Sequence, residues 1–125
     1  MQPFDHFDVL AIIFGVMFAL RKLDAKSREA ADYPAVSKAE FEGWQRAATR
    51  AYGIGSAVCF FRVIFHFAWV YYVNHNAVSP GVFRAVGLGT DVIWLAGMGI
   101  ALVKARAARK LRDRLNIGRA PPQRR

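Results

Sequence analysis

Between Gly53 and Val73, and again between Val82 and Val103, the chain runs apolar for 21 and 22 residues. Only four acidic or basic side chains interrupt these runs: Arg62, His66, Arg84 and Asp91. As helices, each run reaches roughly 30 Å, the thickness of a hydrocarbon core. In lipid every backbone N–H and C=O must find its partner inside the segment, so such runs point to membrane-spanning helices. A third apolar run, Phe4 to Leu20, holds 17 residues and carries Asp5, His6 and Asp8 near its start. It is expected either to span or to lie as an interfacial or re-entrant helix.

The composition of the 125-residue chain fits one small membrane domain. Lys and Arg number 18 against 9 Asp and Glu, a formal charge of +9, although 54% of the residues are apolar. A chain both this basic and this hydrophobic must keep its charges apart from its apolar runs. The apolar and aromatic content excludes a disordered chain, and the single Cys59 excludes a disulfide scaffold. Length excludes a large soluble catalytic domain.

The charges are sorted by side. Seven basic residues lie within 21–52 and nine after Val103, while segments 1–3 and 74–81 have none. A count of 16 to 0 orients the chain with its N-terminus outside and its C-terminus in the cytosol, in a cytoplasmic (inner) membrane. The first run lacks a basic leader and a small-residue cleavage site, so it is expected to be retained rather than removed as a signal peptide.

Pro3 suits a first helical turn, and the first helix is expected to run past Leu20 to about Ala31, ending before Tyr33-Pro34. Ser37 and Glu40 form a capping-box pattern, with Val36 and Phe41 as a staple. Phe41, Trp44, Ala48 and Tyr52 then share one face, which predicts an amphipathic helix over 37–52 lying along the inner interface. Gly53 and Gly55 are expected to bend the chain into the second span. Trp69, Tyr71 and Tyr72 belong at the outer surface. The loop 74–81 is short enough to make spans 53–73 and 82–103 antiparallel neighbours. The last span is expected to continue as a basic helix to about Leu115, stopped by Gly118 and Pro121-Pro122. The fold expected is all-α, with three transmembrane helices and one inner amphipathic helix.

Counted from Gly53 and Val103 as inner ends, Asp91 and His66 lie at one depth and Arg62 one turn below. Isolated charges there cost about 2.5–3.5 kcal/mol each on insertion scales, so a cluster of Arg62, His66 and Asp91 is predicted across the hairpin. It is either a structural clamp, in which case Asp91→Ala strands Arg62, or a site for a proton, an ion or a quinone. Ala85, Gly89, Gly97 and Ala101 share one i+4 row of the third span, and Gly87 and Gly99 lie on a second with Asp91. Small residues allow close helix contacts in lipid, within the chain or with another subunit. His6 and His75, placed with Asp5, Asp8 and Asn76 at the outer surface, are the only candidate ligands for a copper or zinc ion, and no ligand spacing supports one. Cys59 reads as a small core residue.

The tail from Lys104 carries Arg106, Arg109, Lys110, Arg112 and Arg114, then Arg119, Arg124 and Arg125. Anionic lipid of the inner leaflet, or an acidic protein surface, is its expected partner. Nucleic acid is less suited, because the tail has no aromatic residue for stacking.

The layout resembles three-span phage holins, with the basic tail inside and Gly89-Thr90-Asp91 in the last span similar to sequences in some of them. That resemblance implies lesion formation by self-association. The 30-residue inner segment departs from it, since holin loops there are short. Arg62, His66, Tyr71 and Arg84 look like the closing hairpin of the membrane glutathione-transferase family, with one span fewer and the hairpin reversed. His66 is also similar in placement to a haem ligand of a small respiratory anchor subunit; a partner chain would then supply the second axial histidine. No nucleophile–base pair or phosphate loop marks an enzyme. The sequence therefore favours a non-enzymatic subunit of a larger membrane assembly, with a holin-like pore and a haem- or quinone-binding anchor as alternatives.

Overall fold

The structure is a computed structural model and describes residues 6–117. Pro3, Asp5, Gly118, Pro121-Pro122, Arg119, Arg124 and Arg125 lie outside that range. Among the described residues the chain is helical, without strands: α1 His6–Ser27, a 3-10 turn Ala30–Asp32, α2 Lys38–His75 and α3 Pro80–Arg114. α2 and α3 are long and apolar enough to cross a membrane. In their most apolar 18-residue windows only 28% and 17% of the residues are buried. The core helix of a water-soluble protein would be mostly covered. Every 18-residue window of α1 holds at least three charged residues, Asp8, Arg21 and Lys22 in the first of them, so α1 does not pass the same test.

One packing rule runs through all three helices. The buried residues of α1 are Asp8, Ala11, Gly15, Phe18 and Ala25. In α2 the row runs Phe41, Trp44, Ala48, Ala51, Gly55, Cys59, Arg62, His66, Val70. In α3 it runs Trp94, Met98, Ala101, Ala105, Ala108, Arg112. Steps of three and four mix, a period between about 3.5 and 3.6, which keeps one seam of each helix on its neighbour. α2 lies between the other two, antiparallel to both. α1 and α3 meet each other only through side chains.

Where the backbones approach most closely, a glycine permits it. A Cβ on Gly55 would sit 2.7 Å from the Phe18 ring, and one on Gly97 would sit 2.8 Å from a Val58 methyl. This accounts for one departure from expectation. The helix is unbroken through Gly53 and Gly55, and the segment from 38 to 52 is the first part of one continuous α2 rather than a separate helix. Gly55 is a seat for Phe18, not a hinge. At 1.5 Å per residue α2 is about 57 Å long, more than a hydrocarbon core is thick.

The helix ends follow local chemistry. Ser37 caps α2, accepting from the Glu40 N–H at 3.2 Å, while its hydroxyl donates to Glu40 Oε1 at 3.1 Å. α1 stops at Ser27, short of the expected Ala31. Its last carbonyls are held from α2, because Gln45 Nε2 donates to the carbonyls of Ala25 (2.9 Å) and Arg28 (3.0 Å). Ser79 caps α3 with Pro80 behind it. α3 closes through Asn116 in the left-handed region (φ 57°), before Gly118 is reached, with the Ile117 N–H returning to the Arg112 carbonyl at 3.0 Å.

Candidate functional site: a buried ion-pair cluster

Each of the three helices brings at least one polar side chain to a single point. Arg62 and His66 lie one turn apart on the buried seam of α2. Arg62 Nη2 donates to Asp91 Oδ1 of α3 at 2.7 Å, and Nη1 donates to Asp8 Oδ1 of α1 at 2.5 Å. The second Asp8 oxygen meets His66 Nδ1. Against Arg62 the Asp8 carboxylate can only accept, so His66 Nδ1 is the donor of that bond. The guanidinium lies 5.5 Å from the ring centroids of both Phe7 and Trp94, which pack edge to face at 5.8 Å. Those aromatic faces suit a delocalised cation and keep water from it.

The cluster differs in one member from the sequence reading. Asp8, assigned to the outer surface, is 1% exposed and joins Arg62 to His66. Asp91, expected in the cluster with both Arg62 and His66, keeps 32% of its side chain exposed and bonds Arg62 alone of the two basic groups. Asp8 stands near the start of its own apolar run, which by itself suggests a shallow position. α1 is instead registered on α2 by Gly15 beside Cys59 and Phe18 over Gly55, which sets Asp8 level with Arg62 and His66. A signal was present, since Asp8, Ala11, Gly15 and Phe18 form one three-four row that otherwise holds small or apolar residues.

The small residues of α3 also divide. Gly97 and Ala101 face α2. Gly87, Gly89 and Gly99 would meet nothing within 4 Å if given a Cβ, and Ala85 is exposed. An i+4 row advances 400° per four residues in excess of a full turn by about 40°, so positions 85 and 101 point about 160° apart. The row read as one face is therefore two.

Two cavities border the cluster. One, about 60 Å³, is lined by His66, Asp91, Thr90, Gly87 and Trp69, with room for water but not for a macrocycle. The other is an apolar groove of about 450 Å³ between α2 and α3, lined by Val58, Phe61, Phe65, Ile93 and Gly97, with Arg62 and Trp94 at its floor. His6 is exposed at the start of α1. His75, at the far end of α2, stacks on Tyr71 and bonds the Tyr71 carbonyl at 2.8 Å. Among the described residues no three His, Cys, Asp or Glu side chains are grouped to hold a metal ion. Of the tail cations within the described range, Lys104, Arg106, Arg109, Lys110 and Arg114 are exposed, and Arg112 is buried.

The chain matches no family model, no curated protein and no solved structure at a significant level. The likeness to holins accordingly rests on layout and on Gly89-Thr90-Asp91. In that triplet Thr90 bonds the Val86 carbonyl at 2.7 Å and Asp91 is paired with Arg62.

Proposed function

We propose that the chain is a small non-enzymatic membrane subunit, with α1, α2 and α3 spanning an inner membrane, N-terminus out and basic end in. The Asp8–Arg62–Asp91–His66 cluster acts as its internal clamp. The observation that carries this reading is the outer face of α3. On that face a Cβ on Gly89 or Gly99 would meet nothing within 4 Å, and Leu88, Ile93 and Ile100 stand exposed around them. A helix notched by glycine on a face its own fold leaves uncovered is suited to a helix from another subunit. The apolar groove between α2 and α3 widens that face. Asp8 gives the clamp its reach, since it lets α1 enter the bundle with its buried acid already paired. The basic helix end, bearing Lys104, Arg106, Lys110 and Arg114, stays against the anionic leaflet.

Native mass spectrometry of gently extracted protein tests this. Companion chains of other masses are expected, lost together in a Gly89→Leu/Gly99→Leu variant that itself stays folded. A ladder of identical 14.0 kDa copies would move the reading to a self-assembling, holin-like pore. A haem mass lost in His66→Ala would move it to a redox anchor.

A further inference from the structure

Below the clamp, at the inner end of the bundle, a second polar cavity of about 310 Å³ opens between α1, α2 and α3. Its walls include four arginines, Arg21 and Arg28 from the α1 side and Arg109 and Arg112 from α3, against one carboxylate, Asp24. Trp44 and Tyr52 of α2 form its back. Counted over the lining side chains alone, the cavity carries a formal charge of +3.

Two of these arginines are not ordinary surface cations. Arg28 is held in place: Nη2 donates to Asp24 Oδ2 at 3.1 Å, Nη1 to the Tyr33 hydroxyl at 3.3 Å, and the guanidinium lies 5.7 Å from the Trp44 ring centroid. Arg112 occupies the buried seam of α3, with nine-tenths of its side chain covered. Among the described residues its one ion pair is a 3.5 Å contact to Asp113, which is 73% exposed, and its buried Nε has no hydrogen-bond partner. A covered guanidinium so poorly matched is costly unless an anion answers it.

The cavity continues upward into a mostly apolar cleft of about 170 Å³ between α1 and α3. That cleft shares Arg21, Tyr52 and Arg109, and adds Phe14, Met17 and Leu102. A basic chamber at the inner boundary leading into an apolar slot has the two-part shape of a phospholipid. Forked donors on four arginines suit a phosphate.

We infer that this cavity binds one anionic phospholipid, its phosphate among Arg21, Arg28, Arg109 and Arg112 and an acyl chain against Phe14, Met17 and Leu102. The inference rests on the membrane placement proposed above. It is narrower than attraction of a basic tail to a charged leaflet, because the exposed cations Arg106 and Arg114 take no part in it. The bound lipid would tie the inner ends of α1 and α3, which do not touch through their backbones.

Delipidated full-length protein in neutral detergent is titrated with phosphatidylglycerol, with phosphatidylcholine and with inorganic phosphate, and bound lipid is counted by native mass spectrometry. One tightly held phosphatidylglycerol is expected. Arg109→Gln/Arg112→Gln should weaken it by about tenfold or more, and Arg106→Gln/Arg114→Gln, removing equal charge, by less than about threefold. Should burial make the Arg112 variant unstable, Arg21→Gln/Arg109→Gln alters only exposed positions and is expected to weaken binding similarly. Equal losses in both charge-matched variants would overturn the inference, as would equal occupancy by phosphatidylcholine. Competition by inorganic phosphate at similar concentration would overturn the lipid assignment. Partition into phosphatidylcholine vesicles is scored separately: absence of partition overturns the membrane placement, not the preference among lipids.

Discussion

The two halves of the bundle obey opposite rules. From about Leu20, Gly53 and Val103 toward the proposed inner end, apolar side chains are inside and most charges outside, with Arg28 and Arg112 the buried exceptions. Tyr33, Phe41, Trp44, Ala48, Ala105, Ala108 and Ile117 are buried, while Glu42, Arg46, Arg50, Arg106 and Lys110 are exposed. In the other half a charged cluster is inside, among apolar residues such as Cys59, Trp94 and Met98, and large apolar residues also face outward. Asp8, Arg62 and His66 are buried while Phe61, Ile64, Leu88 and Ile93 are each about 70% exposed. Both halves use the same three-four seam, so the helices do not change at the boundary; the solvent they suit does. Water favours burial of the apolar face in one half. In lipid, polar side chains gain most from facing each other, because hydrocarbon offers them no partner.

The largest expected effect comes from breaking the inverted half at its centre. Arg62→Ala would leave Asp8 and Asp91 without their shared cation, and the loss of one partner of a buried ion pair costs about 3–5 kcal/mol. Denaturant unfolding in fixed micelles measures it, and a change below about 1 kcal/mol would remove the clamp from the account. Asp91→Ala is expected to cost less than Asp8→Ala, because Arg62 then keeps Asp8 and the Asp8–His66 bond survives. This reverses the weight that the sequence places on Asp91.

Next in size is a matched pair across the boundary. Phe41, 2% exposed in the inner half, should lose about 3–5 kcal/mol on replacement by alanine. Phe61, 68% exposed in the other half, should lose less than about 0.5 kcal/mol in micelles. Similar losses at both sites would erase the contrast. A smaller effect separates two glycines of one helix. Gly97→Ala drives a Cβ into Val58 and is expected to cost about 1–3 kcal/mol, whereas Gly99→Ala meets open space and should leave the isolated chain within about 0.5 kcal/mol. Smallest is Ser37→Ala, which removes the α2 cap and should cost about 1 kcal/mol, read as a shift in the same unfolding midpoint.

Much of this was legible in sequence where the signal is local. Length and hydropathy located α2 and α3, and Ser37-x-x-Glu40 marked the start of α2. Arg62 and His66 were singled out because a charge in an apolar run needs a partner wherever the helices settle. What sequence did not carry was relative depth. Asp8 stands within four residues of the first apolar residue, and only the seating of Phe18 on Gly55 reveals that α1 is pushed far enough along α2 to bury it. The same holds for the inner cavity. Arg112 looks like one more tail cation until the 3.5-residue seam, drifting against the i+4 rows, turns it inward while Arg106 and Arg114 stay outside.

The inversion itself is open to one direct measurement. In a Cys59→Ala background reconstituted into phospholipid vesicles, single cysteines at positions 61, 64, 88 and 93, and at 42, 46 and 106, are spin-labelled. Collision with oxygen, which concentrates in hydrocarbon, is compared with collision with a water-soluble nickel chelate. Oxygen-dominated collisions are expected at the first four sites and chelate-dominated collisions at the other three. Chelate access at 61, 64, 88 and 93 equal to that at 42 and 106 would contradict it, since the apolar half would then face water.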